Sequence, residues 1–449
     1  MDTTGSSGSA PNDASPTRKQ WKWTALASMA SYIDAGSIVA AAAGLPLWEA
    51  FLGLDSTVVG LLTAFSSNAI SAAIGALIGG RLGDKFGRKR IYAWDLLVFA
   101  FGILWIVFAM NLPMLFIGYV IVGLAVGADL PTSLALIAEF SPGRSRGRLI
   151  GVAQVAWSLG PMVTLLLAFA LAPLGLLGVR IVFAHLFVVA LVTWYLRRGM
   201  VESAHWQQAR QAALDSGNPL AAGRLRDVFT GRNLRALVFT GGLYALWNTV
   251  AGTNGAFLPY ILQHTGNVDQ ATSVAIQAFN YLLTMLAVAL VFMPMADGGR
   301  RKPLFAFGAV LQIAAFGCFV FLPIGVGVAI ANVALFGIGA AFAGESFYKL
   351  WSQEMFPTML RGTAQGITFA FARIVLGIWS FLVPLMIASS FGLAGMAAIM
   401  MGMLVLFAVI GLFGMPDSAG RSLQALEQEL STSGTAESVD SDREIKGAE

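Results

Sequence analysis

Twelve apolar runs, each long enough to cross a bilayer at about 20 residues per helical span, begin near Trp23, Val58, Ile91, Pro113, Leu149, Val179, Ala236, Thr272, Leu304, Gly325, Thr363 and Leu393. In hydrocarbon every backbone amide and carbonyl must be bonded within the protein, so runs of this kind fold as helices. The chain is 57% hydrophobic and only 12% charged, against about a quarter charged in a soluble domain. An all-α membrane protein of twelve transmembrane helices is expected.

Arginine and lysine are retained on the inner side of a membrane. With both termini inside, 25 of the 28 basic residues fall on the cytoplasmic face, and only Arg180, Lys349 and Arg373 need another explanation. The expected setting is the plasma (bacterial inner) membrane. The expected divisions are a disordered tail over 1–20, a six-helix bundle over 21–198, a linker over 199–234, a second bundle over 235–415 and a cytoplasmic tail over 416–449. The linker contains WQQARQAALDSG, whose composition favours a short interfacial helix. Met1–Gln20 is polar, so the first span, not a cleaved signal peptide, is expected to direct insertion. A single cysteine, Cys318, excludes an intramolecular disulfide and offers no metal cluster. The basic charge lies in short loops beside apolar runs, which points to lipid headgroups and topology and not to nucleic acid.

The two halves repeat. Glu139-x-x-Pro142-x-x-x-Arg146-Gly147-x-x-x-Gly151 recurs 215 residues later as Glu354-x-x-Pro357-x-x-x-Arg361-Gly362-x-x-x-Gly366, and Asp84 has a counterpart in Asp297 of a shorter, decayed copy. The chain is thus expected to hold two similar bundles as parallel repeats.

Gly79–Arg90 reads GGRLGDKFGRKR, a basic turn with spaced glycines and one acid between two apolar runs. It closely resembles the signature loop of the major facilitator superfamily of secondary transporters. Val201-Glu202-Ser203-x-x-Trp206, Glu354-Met355-Phe356-Pro357-Thr358 and Pro416-Asp417-x-x-Gly420-Arg421-Ser422-Leu423 resemble loop motifs of its sugar porter and metabolite symporter branches, and the resemblance spans essentially all twelve runs. It implies the twelve-helix, two-bundle fold and alternating access. It also implies a cytoplasmic gate made by Gly80, Gly83, Asp84, Gly87, Arg88, Glu139, Arg146, Glu202, Glu354 and Arg361, acids and arginines that pair in one conformation and part in another. Exposed ion pairs contribute only about 0.2–1 kcal/mol each, so such a gate has to work as a network.

Ionisable residues inside spans cost roughly 2.5–3.5 kcal/mol each on insertion scales and mark function. Asp34, Asp129, Glu345 and Lys349 lie in spans one, four and ten, which with span seven line the central cavity in this superfamily. Asp34 and Asp129 are expected to exchange the coupling proton, since a carboxylate can alternate between charged and neutral forms. Asn248, Thr249 and Asn254 of span seven, and Gln154, seven residues after Gly147 as in sugar porters, are expected to bind substrate hydroxyls or carbonyls. Lys349 stands where sugar porters carry a stacking tryptophan, and is expected to hold an anionic group of the substrate, with Glu345 as its partner while the site is empty and yielding to that group when substrate enters. The alternative is that Glu345 and Lys349, four residues apart, pair to hold helices together. Arg373 suits either a substrate carboxylate or an acid of the bundle. Tyr119 occupies the place of the arginine that partners the span-one aspartate in proton-coupled sugar porters, while Gly127–Pro131 resembles a motif of phosphate and organic-acid symporters.

The resulting expectation is proton-coupled uptake of a small polar metabolite such as an organic or sugar acid by a functional monomer. Gly160-Pro161 keeps a proton-driven exporter of amphipathic compounds as an alternative, and a transporter-derived nutrient sensor is a third. Without a nucleotide-binding glycine loop, metal cluster or nucleophile elbow, no enzyme activity and no cofactor are expected.

Overall fold

The computed structural model describes residues 15–429, apart from 56–57, 60, 63–64, 66–68, 217–223 and 265–267. The tails expected to be disordered lie outside the described residues over 1–14 and 430–449. The first helix, α1 (Arg18–Leu52), starts inside the expected tail, because Thr17 and Gln20 form a reciprocal cap: the Thr17 amide donates to Gln20 Oε1 at 2.8 Å and the Gln20 amide to Thr17 Oγ1 at 3.3 Å. Gly53, at φ 62°, ends it.

The first bundle continues with α2 (Ile70–Phe86), α3 (Arg88–Val107), α4 (Leu112–Phe140), α5 (Arg146–Ala170) and α6 (Leu176–Arg197). Two short helices, α7 (Ala204–Ser216) and α8 (Leu225–Val228), lie in the connecting segment. The second bundle holds α9 (Gly231–His264), α10 (Gln270–Ala287, prolonged by a π-helical turn to Met295), α11 (Arg301–Phe321), α12 (Val326–Phe342), α13 (Glu345–Glu354), α14 (Arg361–Ala388) and α15 (Gly392–Gly414). Among the described residues ten spans are long and apolar enough to cross a membrane, α12 and α13 forming one of them across a break at Ala343–Gly344; α2 and α9 complete the twelve. Bulky apolar side chains such as Phe413, Phe381 and Phe321 are exposed on the outside of the bundles, where acyl chains replace water.

Two features differ from the sequence expectation. The signature stretch is not a loop: α2 runs through Phe86 and α3 begins at Arg88, so the reversal is confined to Gly87, whose φ of 96° is open only to glycine. The helix α9 begins at Gly231, inside the linker expected over 199–234, while Arg197 closes α6 and is buried.

The bundles meet most intimately at the end that carries the basic loops. There one apolar core contains side chains of both, such as Ala76, Leu134 and Ile150 with Tyr244, Phe305 and Trp351. Toward the other end, Tyr32, Trp48, Phe99, Tyr119 and Phe183 form a core of the first bundle alone. A Cβ on Gly80 would collide with the carbonyl of Gly362, and one on Gly366 with the carbonyl of Ala76. The α2–α14 contact is therefore made backbone to backbone.

Candidate functional site

The basic end is closed by carboxylates that each serve several partners. Asp84 caps the start of α14: it accepts from the Gly362 amide at 3.1 Å, from the Thr363 amide at 2.6 Å and from the Thr363 hydroxyl at 2.7 Å, and pairs with Arg88 at 3.0 Å. A free helix N-terminus favours an anion through its unpaired amides and its dipole. Glu139 bridges the bundles by pairing with Arg88 at 3.0 Å and with Arg361 at 3.2 Å. Glu354 does the same from the other side, pairing with Arg146 at 2.9 Å and Arg301 at 3.0 Å.

The repeat is also visible in chemistry. Asp297 accepts from the amides of Gly147 at 2.6 Å and Arg148 at 2.9 Å, capping α5 as Asp84 caps α14, although its surrounding sequence pattern has decayed. Burial pushes the Asp297 carboxyl up to about 6, against the pull of those two amides. Glu202 accepts from the Arg88 and Lys89 amides at 3.1 Å each, and Trp206 donates its indole N–H to the Asp84 carbonyl at 2.8 Å. The start of the tail joins in: Arg146 donates to the Arg421 carbonyl at 3.0 Å, Arg301 to Ser418 at 3.1 Å, and Arg361 pairs with Glu427 at 3.6 Å. The roles of Arg301, Ser418 and Glu427 were not legible in sequence, because nothing local marks a loop residue that docks on a distant helix.

Between the bundles lies a cavity of about 330 Å³, within the usual size of small-molecule sites. Gln154 and Trp157 of α5, Asn248 of α9, Asn280 and Tyr281 of α10 and Arg373 of α14 are among its walls. Tyr119 Oη, Asn248 Nδ2, Asn280 Oδ1 and Glu345 Oε2 are buried there without a hydrogen-bond partner among the described residues. Trp157 and Tyr281 face each other from opposite bundles, 6.1 Å between ring centres.

The charges around the cavity are paired. Asp34 of α1 meets Arg373 of α14 at 3.6 Å, so an ion pair ties the first bundle to the second. Lys349 meets Glu345 at 3.6 Å and donates to Gln154 at 2.9 Å. Lys349 is fully buried and stands behind the wall, not in it. Thr249 spends its hydroxyl on the Ala245 carbonyl of its own helix, and Asn254 is buried off the cavity. Asp129 lies elsewhere, in the first bundle near its basic end, where Arg197 pairs with it at 3.3 Å and the Asp95 carboxyl adjoins it. Asp95 meets the same criterion as Asp34, an acid inside an apolar run; its nearness to the basic residues Arg88–Arg90 masks it in the sequence.

A match to the Major Facilitator Superfamily covers residues 24–375. The chain belongs to this family. It is 44% identical over 412 residues to the minor myo-inositol transporter IolF of Bacillus subtilis, covering 91% of this chain and 94% of that one. To the glucose transporter GlcP of Staphylococcus epidermidis it is 28% identical, over 84% of this chain and 90% of the relative. The solved structure of the proton:xylose symporter XylE bound to 6-bromo-6-deoxy-D-glucose superposes with a TM-score of 0.77 at 20% identity, over 91% of this chain and 98% of that one. The fold is thus the twelve-span, two-bundle fold of the family. The protein is a multi-pass membrane transporter that moves a small molecule, and it is not an enzyme.

Proposed function

We propose that the protein is a proton-coupled importer of a small neutral polyhydroxylated ring, a cyclitol or a sugar, with the basic end cytoplasmic. The observation that carries this is the cavity wall: unpartnered amide, hydroxyl and carboxylate atoms of both polarities beside two facing aromatic rings, with the nearby charges already in ion pairs. A buried polar atom left without a partner costs roughly 1–3 kcal/mol. A ring of hydroxyls, each both donor and acceptor, satisfies such atoms, while its C–H faces pack on Trp157 and Tyr281. The similarity to a myo-inositol transporter over nearly the whole chain supports the same substrate class.

Coupling follows from the Asp34–Arg373 pair. Charged, it holds α14 against α1; protonated from the side opposite the basic end, Asp34 releases Arg373 and removes one tie between the bundles. With the basic end cytoplasmic and closed, and the bundle cores separate at the other end among the described residues, this reading makes the conformation outward-facing. Asp129, paired with Arg197 in the first bundle, is the second candidate proton carrier. Arg373 in the cavity wall supports a second reading, in which the substrate carries a carboxylate that replaces Asp34 as its partner.

Uptake into proteoliposomes under an imposed pH gradient, compared for myo-inositol, glucose and glucuronate, decides between them. Accumulation of a neutral compound that collapses with a protonophore is expected. Accumulation of glucuronate alone would establish the second reading, and uptake of neither class under a gradient would defeat both.

A further inference from the structure

The outer surface of the first bundle, at its basic end and apart from the central cavity, carries a groove of about 290 Å³ between α3, α4 and α6. Its apolar walls come from Trp94 and Leu97 of α3, Leu136 of α4 and Trp194 of α6. Trp94 is 68% exposed, an indole at the level where basic loops meet the apolar spans, the usual depth of interfacial aromatic rings. Trp194 is held in place by donating its indole N–H to the Ala93 carbonyl at 2.9 Å, and the Arg198 guanidinium lies 3.8 Å over its ring.

The charge of the groove has one sign. Lys89 and Arg198 are exposed at its rim, Arg197 forms part of its inner wall, and no acid is among its lining residues. Arg197 is committed to Asp129 and to the Leu26 and Ala27 carbonyls. The neighbouring acid, Glu202, is committed to the Arg88 and Lys89 amides. Two basic side chains at a membrane surface above an apolar, outward-facing slot match an anionic headgroup with acyl chains below it.

We infer that this groove seats one anionic phospholipid of the leaflet at the basic end, its phosphate between Lys89 and Arg198 and an acyl chain along Trp94, Leu97 and Leu136. A free phosphate would use the two cations but not the apolar walls. Every lining residue belongs to the first bundle or to the segment that leaves it, so the lipid does not straddle the moving interface. It braces the end of α6 from which the connecting segment departs. The groove shares no wall with the cavity, so neither proposal depends on the other.

Native mass spectrometry of the full chain, with phosphatidylglycerol and phosphatidylcholine offered in parallel, tests this. The wild type is expected to retain phosphatidylglycerol selectively, and K89Q/R198Q to bind it about 30-fold more weakly, at roughly fivefold per basic residue. R18Q/K19Q, which removes the same charge from exposed positions away from the groove, is expected to bind as the wild type does. As a check that does not rest on those variants, brominated phosphatidylglycerol should quench the fluorescence of the wild type more than that of W94F. Equal retention by K89Q/R198Q, equal retention of phosphatidylcholine, displacement by millimolar inorganic phosphate, or equal quenching of W94F would each overturn the assignment.

Discussion

At the scale of single residues, the decisive fact is which charges face each other across the bundle interface. Asp34 and Arg373 do, at 3.6 Å, with both side chains almost wholly buried. Asp34→Asn can no longer lose and regain a proton, so it is expected to abolish accumulation above equilibrium while counterflow of labelled substrate persists. Full gradient-driven accumulation in this variant would show that Asp34 does not carry the proton. Lys349 is different in kind: its ammonium is used up by Glu345 and Gln154 behind the cavity wall. Lys349→Gln is therefore expected to weaken uptake of myo-inositol and of glucuronate by the same factor, measured as KM. A loss for glucuronate at least tenfold larger would mean that the ammonium reaches the substrate during the cycle.

At the scale of elements, the two helix starts at the basic end, those of α14 and α5, are each capped by a carboxylate from the opposite bundle, Asp84 and Asp297. On the proposed alternating access, opening of the basic end would uncap both. In the closed form burial holds the Asp297 carboxyl at about 6; once open and hydrated it returns to the ordinary carboxylate range near 3.8. The closed form thus binds the proton more tightly, and acid favours closure. This stabilisation is absent at pH 7, grows as pH falls through 6, and is complete below about 4. Between pH 7 and pH 5 the closed-to-open ratio should rise about tenfold. Spin-label distances across the basic end, in a Cys318→Ser background, would read the shift. Asp297→Asn should remove this roughly tenfold part of its pH dependence; an unchanged pH response in that variant would assign the effect to another group.

At the scale of the whole molecule, closure depends on how near the two bundles can come. Gly80 and Gly366 let α2 and α14 touch through their backbones. Gly80→Ala is expected to move the distance distribution at the basic end toward the open form, and to lower transport while leaving the fold intact. Gly377→Ala on α14, where an added Cβ meets nothing within 4 Å, serves as the control, since alanine there only improves helix propensity. Matching distributions for Gly80→Ala and wild type would mean that the bundles close without this contact. The acids Glu139 and Glu354 then hold what the glycines permit: each joins arginines of both bundles. Removing one partner of a buried pair costs about 3–5 kcal/mol, enough to bias two states of one protein.

Features that depend on composition along the chain are legible in the order of residues alone. Spans of bilayer length dictate helices, because hydrocarbon offers the backbone no other partner. The recurrence of the Glu139 to Gly151 motif 215 residues later as Glu354 to Gly366 marks the two bundles and residues that bridge them at the basic end. Asp34, Gln154, Asn248, Glu345 and Arg373 stand out because polar groups in apolar runs are costly. Which of these groups share a space emerges only once the helices are packed. Lys349 is drawn behind the cavity wall by Glu345 and Gln154, Arg373 reaches Asp34 from the other bundle, and Arg197, at the end of α6, becomes the buried partner of Asp129. Spacing along a helix gives the face on which a side chain lies, but the partner across an interface depends on how two bundles are rotated against each other. That rotation is set by the summed packing of many side chains and by the glycines that let backbones touch, and no local stretch of the chain encodes it.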